Sequence, residues 1–441
     1  MFFYSRTVKF AVLFIGLGLN GIAIARERID FMFPAPVDGK LTMEMNRVIK
    51  NFNDSQSEVE VRGIFTGNYD TTKIKAESAQ KSGQPPAVAI MSANFTTDLA
   101  LKNEILPMDE LFQYSSTPLK AHEFLTKEFW PALQGNAQVM GTTYAIPFQN
   151  STPILYYNKT MFEQAGIHQP PQTWQELLDD AKKLTDTSKG QWGIMLPSTN
   201  DDYGAWILSA LVRANGGLYY NENYPGEVYY DTPTTVGALH FWQDLVYKHN
   251  VMPNGVLNSK QISASFFSGK LGMTLLSTGA LGFMRENTKD FELGVAMLPA
   301  KEQRAVSIGG ASLVSFRGIN DHQKKAAYQF ITYLVSPEVN GSWSRFTGYF
   351  SPRKSAYDTK EMKDYLQQDS RAAIALQQLK YAHAWYSTYE TVAVRKAMEN
   401  QLGALVNDSN LSPITAARNA QQEADQLLKP YVDQTALSPA K

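Results

Sequence analysis

The stretch that decides the fold is AIPFQNSTPILYYN, residues 145–158. Proline flanks the mostly polar run 148–152, and residues 154–157 (Ile-Leu-Tyr-Tyr) have the apolar and aromatic character of a buried strand. Proline beside a polar run is typical of a break between structural units. Strand and helix patterns alternate both before and after this break. The sequence therefore predicts two α/β units in tandem.

The chain before the break carries this alternation in its clearest form. Residues 29–33 and 59–65 have strand patterns, and the apolar run 86–91 is typical of a buried strand. Apolar residues recur at helical spacing over 41–52, and 71–81 also has the pattern of a helix. This order indicates a parallel sheet covered by helices.

The chain after the break repeats the organisation. Thr173 is a good N-cap for a helix that begins at Trp174, and Gly269 ends another helix ahead of the strand 273–276. Two further strands are predicted over 291–298 and 308–316. Two further helices are predicted over 322–334 and 391–405. The second unit is thus also expected to be α/β.

The N-terminal residues have the order of a secretory signal peptide. Arg6 and Lys9 precede the apolar run 10–19, and Ala-Ile-Ala at 23–25 matches a cleavage site. The apolar run is about half of the ~20 residues that a membrane-spanning helix requires. We therefore expect cleavage after Ala25 and release of the mature protein into the periplasm.

The composition excludes several classes of protein. Cysteine is absent, which excludes disulfides, thiolate metal sites, a thiol nucleophile and a lipid anchor on an N-terminal cysteine. The formal net charge is −1 without long charged blocks, so the electrostatic signature of a nucleic-acid binder is missing. An aromatic content of 12% suits a protein that stacks rings on polar ligands, although most aromatic residues fill cores.

A secreted enzyme is the main rival class. The chain has 42 acidic residues, yet no motif singles out a catalytic pair. The sequence contains no Gly-x-Ser-x-Gly motif, and none of its six histidines lies in a His-Glu-x-x-His motif. We therefore expect no catalytic residues, no metal site and no cofactor.

Five short motifs occur in an order known from one family. They are Thr-Gly-Asn-Tyr at 66–69, the run 147–159, Pro-Pro-Gln-Thr-Trp at 170–174, Ile-Gly-Gly-Ala-Ser at 308–312 and Thr-Gly-Tyr at 347–349. With these motifs the chain resembles the extracellular solute-binding proteins of the maltose-binding class. Gly-Asn-Tyr together with Gly-Gly-Ala-Ser is similar to the glycerol-3-phosphate-binding subgroup.

The resemblance implies a periplasmic-binding-protein-like fold of type II, in which two α/β lobes close over a ligand cleft about a hinge. It implies a first lobe of residues 26–148 and 277–334, a second lobe of 149–276 and 335–441, and hinge crossings near 148–152, 273–276 and 335–337. It also implies a monomeric, non-catalytic subunit of an ABC importer that delivers its ligand to membrane permease subunits.

The same resemblance implies a set of ligand-binding residues: Tyr69, Ser151, Tyr203, Trp206, Ser277, Gly310, Tyr349 and Arg395. Arg395 would hold a phosphate through two hydrogen bonds, and Gly310 would let a backbone amide approach the ligand. Tyr203 and Trp206 correspond to two family tryptophans that pack on the carbon skeleton. On the sequence alone, Trp206 is equally well a core residue and Arg395 an ordinary surface residue.

Two departures from the family pattern concern the end of the ligand away from the phosphate. Ala93 replaces an acidic residue that contacts glycerol hydroxyls in the family, and residues 34–35 (Pro-Ala) replace Trp-His. Phosphate capture is thus expected to be retained with altered hydroxyl recognition, and Asn94 is a candidate neutral partner. The expected ligand is sn-glycerol 3-phosphate or a related glycerophosphodiester. The alternative is an oligosaccharide or polyol carrier, which does not need a buried guanidinium at Arg395.

Overall fold

The computed structural model describes residues 26–34, 39–117, 119–199, 203–385 and 387–435. The predicted signal peptide and Ala35 lie outside the described residues. The strands are β1 (Glu27–Phe33), β2 (Val59–Phe65), β3 (Val88–Ser92), β4 (Gln138–Val139), β5 (Thr142–Thr143), β6 (Ile146–Ser151), β7 (Pro153–Asn158), β8 (Trp192–Met195), β9 (Leu271–Ser277), β10 (Leu293–Ala296), β11 (Val306–Ser307), β12 (Gly309–Val314) and β13 (Ala382–His383).

Helices alternate with these strands and dominate the C-terminal part of the chain. They are α1 (Lys40–Ser55), α2 (Tyr69–Lys81), α3 (Thr96–Leu101), α4 (Asp109–Phe112), α5 (Ala121–Glu128), α6 (Gln134–Ala137), α7 (Lys159–Gln164), α8 (Trp174–Leu184), α9 (Tyr203–Ala214), α10 (Pro233–Val246), α11 (Ser259–Phe267), α12 (Leu281–Asn287), α13 (Asp321–Leu334), α14 (Pro337–Thr347), α15 (Lys360–Gln368), α16 (Ser370–Gln378), α17 (Thr391–Asn407) and α18 (Pro413–Thr435). Among the described residues, no helix combines the length and apolar character needed to cross a membrane.

The first lobe is built on a five-stranded sheet with the strand order β2-β1-β3-β12-β6. β1 is parallel to β2 and β3, whereas β12 is antiparallel to both β3 and β6. The strands predicted over 29–33, 59–65 and 86–91 are therefore confirmed. The sheet is mixed rather than parallel as predicted, because β12 enters it from the second lobe in the opposite direction.

Apolar helix faces cover this sheet and form the first-lobe core. Met45, Val48 and Phe52 of α1 are buried at helical spacing, as the sequence pattern predicted. The Phe52 ring meets Phe330 of α13 at 5.0 Å between centroids, and Phe330 in turn packs on Phe31 of β1. Burial of these rings joins an N-terminal and a late segment of the chain in one lobe.

The second lobe is built on a four-stranded sheet with the order β10-β7-β9-β8. β7 is antiparallel to β9 and β10, and β8 is parallel to β9. Only Thr152 separates β6 of the first sheet from β7 of the second. The structure therefore has two α/β lobes, and the predicted fold class is confirmed.

The second crossing lies much later than its predicted position. β9 stays in the second sheet through Ser277, and the segment that follows it continues in the second lobe because β10 pairs with β7. Leu281, Met284 and Leu293 pack with Ile154 beneath that sheet, and burial of these side chains keeps the segment there. The chain crosses at Ile308, between β11 and β12. The predicted crossing at 273–276 and the assignment of 277–307 to the first lobe are therefore wrong.

The third crossing is spread over helix α14 rather than confined to 335–337. Trp343 of α14 belongs to the first-lobe core and stacks on Phe148 of β6 with 5.8 Å between ring centroids. The C-terminal end of the same helix contacts α12 of the second lobe. Because α14 packs on both lobes, the predicted second-lobe assignment is wrong for this helix. The later helices α17 and α18 pack in the second-lobe core.

Candidate functional site

The first two crossings bring three of the predicted residues to one place. Ser151 at the end of β6 pairs with Gly309, and Gly310 pairs with Asn150. Ser277 at the end of β9 pairs with Pro153, which follows Ser151 by two residues. Two serines and a glycine from separate strands therefore meet at the hinge.

Gly310 is required by the contact between the two strands. Its φ is +76°, and a Cβ atom at this position would lie 2.0 Å from the Gln149 carbonyl oxygen. No real contact is that short, so β6 approaches β12 at a distance that only glycine allows. In the structure, the missing side chain of Gly310 therefore makes room for the neighbouring strand β6. The predicted approach of its backbone to a ligand stays a prediction.

Tyr203 and Trp206 pack against the hinge from the second lobe. The Tyr203 hydroxyl accepts a hydrogen bond from the Ser277 backbone N–H at 3.2 Å. The Tyr203 and Trp206 rings meet edge to face at 5.7 Å, and Trp206 Nε1 donates to the Ser307 carbonyl at 3.1 Å. A Cβ at Gly309 would lie 2.6 Å from the indole ring. Trp206 is therefore buried against the chain as it crosses between the lobes, and in this arrangement it contributes to packing.

Tyr349 reaches the same hinge from the end of α14. Gly348 ends that helix with φ +101°, a left-handed conformation that suits glycine. The Tyr349 ring covers Gly279, where a Cβ would lie 2.4 Å from the ring. The next residue, Phe350, forms an isolated bridge with Asn150 of β6. The turn thus positions Tyr349 beside the ends of β6 and β9.

Tyr69 joins the site from the first lobe. It begins helix α2, whose N-cap Asn68 accepts a hydrogen bond from the Thr71 N–H at 2.9 Å. The Tyr69 hydroxyl accepts a hydrogen bond from Gln149 Nε2 at 2.9 Å. Since Gln149 lies two residues before Ser151, the cap places Tyr69 next to the hinge strand β6.

Arg395 joins the two lobes through an ion pair. It lies on α17 with 0% of its surface exposed, so the prediction that it could be an ordinary surface residue is wrong. Nη2 donates to Asp70 Oδ2 of the first lobe at 2.7 Å, and Nε donates to Glu399 Oε2 at 3.4 Å. Two carboxylates therefore compensate the buried guanidinium. The sequence singled out Arg395 but gave no sign of Asp70, which lies 325 residues away.

The loop between β13 and α17 forms a second contact between the lobes. Ser387 Oγ donates to the Asn94 carbonyl at 2.8 Å, and the Glu390 N–H donates to Asp98 Oδ1 at 2.9 Å. Lys102 Nζ lies 2.9 Å from Glu390 Oε1 and 3.0 Å from Asp98 Oδ1. Burial lowers the pKa of Lys102, but the two carboxylates outweigh it and raise the pKa above its usual value. Lys102 is therefore a permanent cation in this contact.

The position where the family has an acidic residue lies directly beside this contact. Ala93 and Asn94 form a short 3₁₀ turn after β3, and both are fully buried. Asn94 Oδ1 accepts a hydrogen bond from Ser92 Oγ at 2.8 Å. Asn94 Nδ2 is buried and has no hydrogen-bond partner among the described residues. A buried donor without a partner is costly, so this amide is available to a ligand group between the lobes.

Two surface cavities among the described residues of the second lobe lie away from this site. One has a volume of about 670 Å³ and is lined by Trp174 and Phe241, among others; the other has a volume of about 560 Å³ and includes His249 in its lining. Neither cavity is lined by a predicted ligand-binding residue. Trp174 stacks on Phe241 with 4.5 Å between ring centroids in the second lobe. All eight predicted residues instead lie at the hinge or at the contact between the lobes.

Together, the two lobes, the strand crossings and the polar residues between the lobes define the type II fold of periplasmic solute-binding proteins. The model of the family described as bacterial extracellular solute-binding protein matches residues 47–368. The chain therefore belongs to this family.

Individual relatives indicate the subgroup of this family to which the chain is similar. The chain is 28% identical over 391 residues to the sn-glycerol-3-phosphate-binding periplasmic protein UgpB of Yersinia pestis bv. Antiqua (strain Antiqua), with 85% of this chain and 86% of the relative covered. It is 27% identical over 372 residues to the protein of the same name from Pectobacterium atrosepticum, with 80% of each chain covered. The predicted resemblance to this subgroup is confirmed.

Solved structures agree on the fold. UgpB from Mycobacterium tuberculosis in complex with glycerophosphocholine gives a TM-score of 0.80 at 24% identity, covering 92% of this chain and 99% of that chain. Maltose-bound MalE3 of T. maritima gives 0.77 at 22% identity, covering 90% and 99%. The chain is thus a substrate-binding protein of an ABC importer and not an enzyme. It binds a small ligand and works with membrane permease subunits.

Proposed function

We propose that this protein captures sn-glycerol 3-phosphate or a related glycerophosphodiester between its lobes in the periplasm. We also propose that it acts as a monomer and that its signal peptide is removed after Ala25. The observation that carries the ligand assignment is the fully buried guanidinium of Arg395 at the contact between the lobes. A guanidinium binds phosphate through paired, charge-assisted hydrogen bonds, and burial strengthens them.

The surrounding residues supply further donors for a phosphate. Tyr69, Ser151, Ser277 and Tyr349 bring hydroxyls from both lobes to the hinge, and Tyr69 directly precedes Asp70, which contacts Arg395. The relatives named as glycerol-3-phosphate-binding proteins support the same ligand class. Hydroxyl recognition differs in this proposal, because Ala93 offers no acceptor while the Asn94 amide offers a buried donor. We therefore assign Asn94 to the glycerol or diester end of the ligand.

One observation favours a neutral polyol or oligosaccharide as the second candidate. Asp70 and Glu399 already compensate the charge of Arg395, so a ligand without charge could bind there without leaving the guanidinium unpaired. The two candidates make different demands on Arg395. A phosphorylated ligand loses its main counter-charge without the guanidinium, whereas a neutral ligand loses at most a hydrogen bond.

The test is a calorimetric titration of Arg395→Ala and Tyr69→Phe with glycerol 3-phosphate. Both variants should bind more weakly, and Arg395→Ala should lose more than tenfold, about 1.4 kcal/mol. Arg418→Ala is the matched control, since Arg418 is an exposed second-lobe arginine paired with Asp231. A smaller loss for a folded Arg395→Ala protein would contradict the phosphate assignment. If that variant fails to fold, an unchanged affinity of Tyr69→Phe counts against the assignment instead.

Asn94→Ala tests the other end of the ligand. It should weaken binding of glycerol 3-phosphate or of glycerophosphocholine, because the buried amide loses its contact with the ligand. Ser92→Ala is its control, since it removes the Ser92–Asn94 hydrogen bond and leaves the amide in place. Unchanged affinity of Asn94→Ala for both phosphate compounds would remove Asn94 from the site.

A further inference from the structure

Among the described residues, a carboxylate from each lobe contacts the guanidinium of Arg395. Glu399 lies one turn along α17 and is buried with Arg395, so this contact belongs to the second lobe alone. Asp70 lies on α2 of the first lobe, and its Oδ2 is 2.7 Å from Nη2 of Arg395. Of these two described contacts, the one with Asp70 depends on the two lobes being together.

The carboxylate of Asp70 does not make all the hydrogen bonds that its two oxygens can accept. Its Oδ1 is buried and makes no hydrogen bond to any described residue, although 21% of the side chain remains exposed. A buried carboxylate oxygen without a donor costs free energy that a better arrangement recovers. The present ion pair is therefore a contact that a ligand with more acceptor oxygens can replace.

Positive groups other than Arg395 can also compensate the negative charge of Asp70. It lies in the first turn of α2, where the positive end of the helix dipole stabilises a carboxylate. Lys396 Nζ is 3.8 Å from Asp70 Oδ2, and its side chain is 44% exposed and free to follow it. Asp70 can thus leave the guanidinium without becoming an isolated buried charge.

We infer that Asp70 is the counter-ion that an anionic ligand displaces from Arg395, and that it thereby sets the affinity and the charge selectivity of the site. This inference rests on the proposed function. A phosphate dianion and the Asp70 carboxylate repel each other beside one guanidinium that Glu399 already contacts. Phosphate binding therefore includes the loss of the Asp70 contact, and only a ligand with enough negative charge compensates that loss.

The test is a calorimetric titration of the wild type and of Asp70→Asn with glycerol 3-phosphate. The variant should bind at least tenfold more tightly, because the ligand no longer competes with a carboxylate. Binding of maltose, which carries no charge, should not tighten. Asp30→Asn is the matched control, since it removes a partly buried first-lobe carboxylate that pairs with the exposed Arg62, and it should leave the affinity unchanged.

Each outcome separates this inference from the function on which it rests. Equal or weaker binding of glycerol 3-phosphate by Asp70→Asn overturns the inference, and the proposed function stands. If the wild type binds no phosphate compound, the proposed function fails and the inference fails with it. Asp70→Ala also removes the hydrogen bond that an asparagine oxygen at this position would still accept from Arg395, and it should bind glycerol 3-phosphate at least as tightly as Asp70→Asn.

Discussion

Substitution of Gly310 by alanine tests the geometry of the hinge. A residue with a side chain at φ +76° costs roughly 1–2 kcal/mol in backbone conformation alone. The new Cβ would also lie 2.0 Å from the Gln149 carbonyl oxygen, so β12 must move away from β6. Loss of one or two strand hydrogen bonds adds about 0.5–1.5 kcal/mol each. We expect a total loss of stability of roughly 1.5–5 kcal/mol from these two contributions.

The comparison that isolates the steric part is Gly141→Ala. Gly141 has nearly the same conformation, φ +79°, but a Cβ there would meet nothing within 4 Å. The control should therefore lose only the conformational part. Urea unfolding monitored by tryptophan fluorescence gives both midpoints under the same conditions. Equal shifts for the two variants would refute the argument that β6 approaches Gly310 too closely for a side chain.

Three further changes probe the site and its surroundings. Burial, together with the Glu77 carboxylate, raises the pKa of Glu104 from 4.5 to about 7. Because the folded protein then favours the protonated acid, its stability falls as the pH rises through this range. Glu104→Gln should therefore flatten the pH dependence of the unfolding midpoint. Trp206→Phe removes the hydrogen bond to the Ser307 carbonyl and should cost about 1–3 kcal/mol in urea unfolding. Ser387→Ala removes a hydrogen bond between the lobes and should increase the radius of gyration of the ligand-free protein in X-ray scattering.

Each of these three predictions has a result that would contradict it. A Glu104→Gln protein whose midpoint follows the wild type over about pH 5–8 contradicts the raised pKa. An unfolding midpoint unchanged in Trp206→Phe shows that the Ser307 hydrogen bond contributes nothing. Identical scattering of Ser387→Ala and wild type would mean that the loop contact does not hold the lobes together.

The sequence pattern predicted the first break between lobes because it is a local feature. Prolines around the run 148–152 and the apolar strand after it change the pattern within a few residues, and the structure has one sheet on each side of Thr152. The second crossing has no such local sign. Residues 291–298 have the pattern of a strand in either lobe, and only the packing of Leu281 and Leu293 decides that β10 joins the second sheet.

The candidate site also combines residues that the local sequence specifies with residues that depend on contacts between distant segments. Gly348 and Tyr349 form a turn that the sequence specifies locally, whereas Arg395 depends on partners that no spacing reveals. Asp70 meets Arg395 only because two lobes, folded from distant segments, come together. The Gly-Gly motif at 309–310 is a third case: its glycines make room for Trp206 and for strand β6, which no local pattern in the sequence indicates, and the predicted approach of Gly310 to a ligand stays a prediction.

We propose above that the cleft between the lobes binds a phosphorylated polyol. Calorimetric titration of the wild-type mature protein with glycerol 3-phosphate, glycerophosphocholine and maltose measures this binding without any substitution. We predict saturable binding of at least one phosphate compound, with an increase in thermal stability because the ligand binds only the folded protein. Binding of maltose alone would leave the two-lobed fold intact and contradict the phosphate site at Arg395.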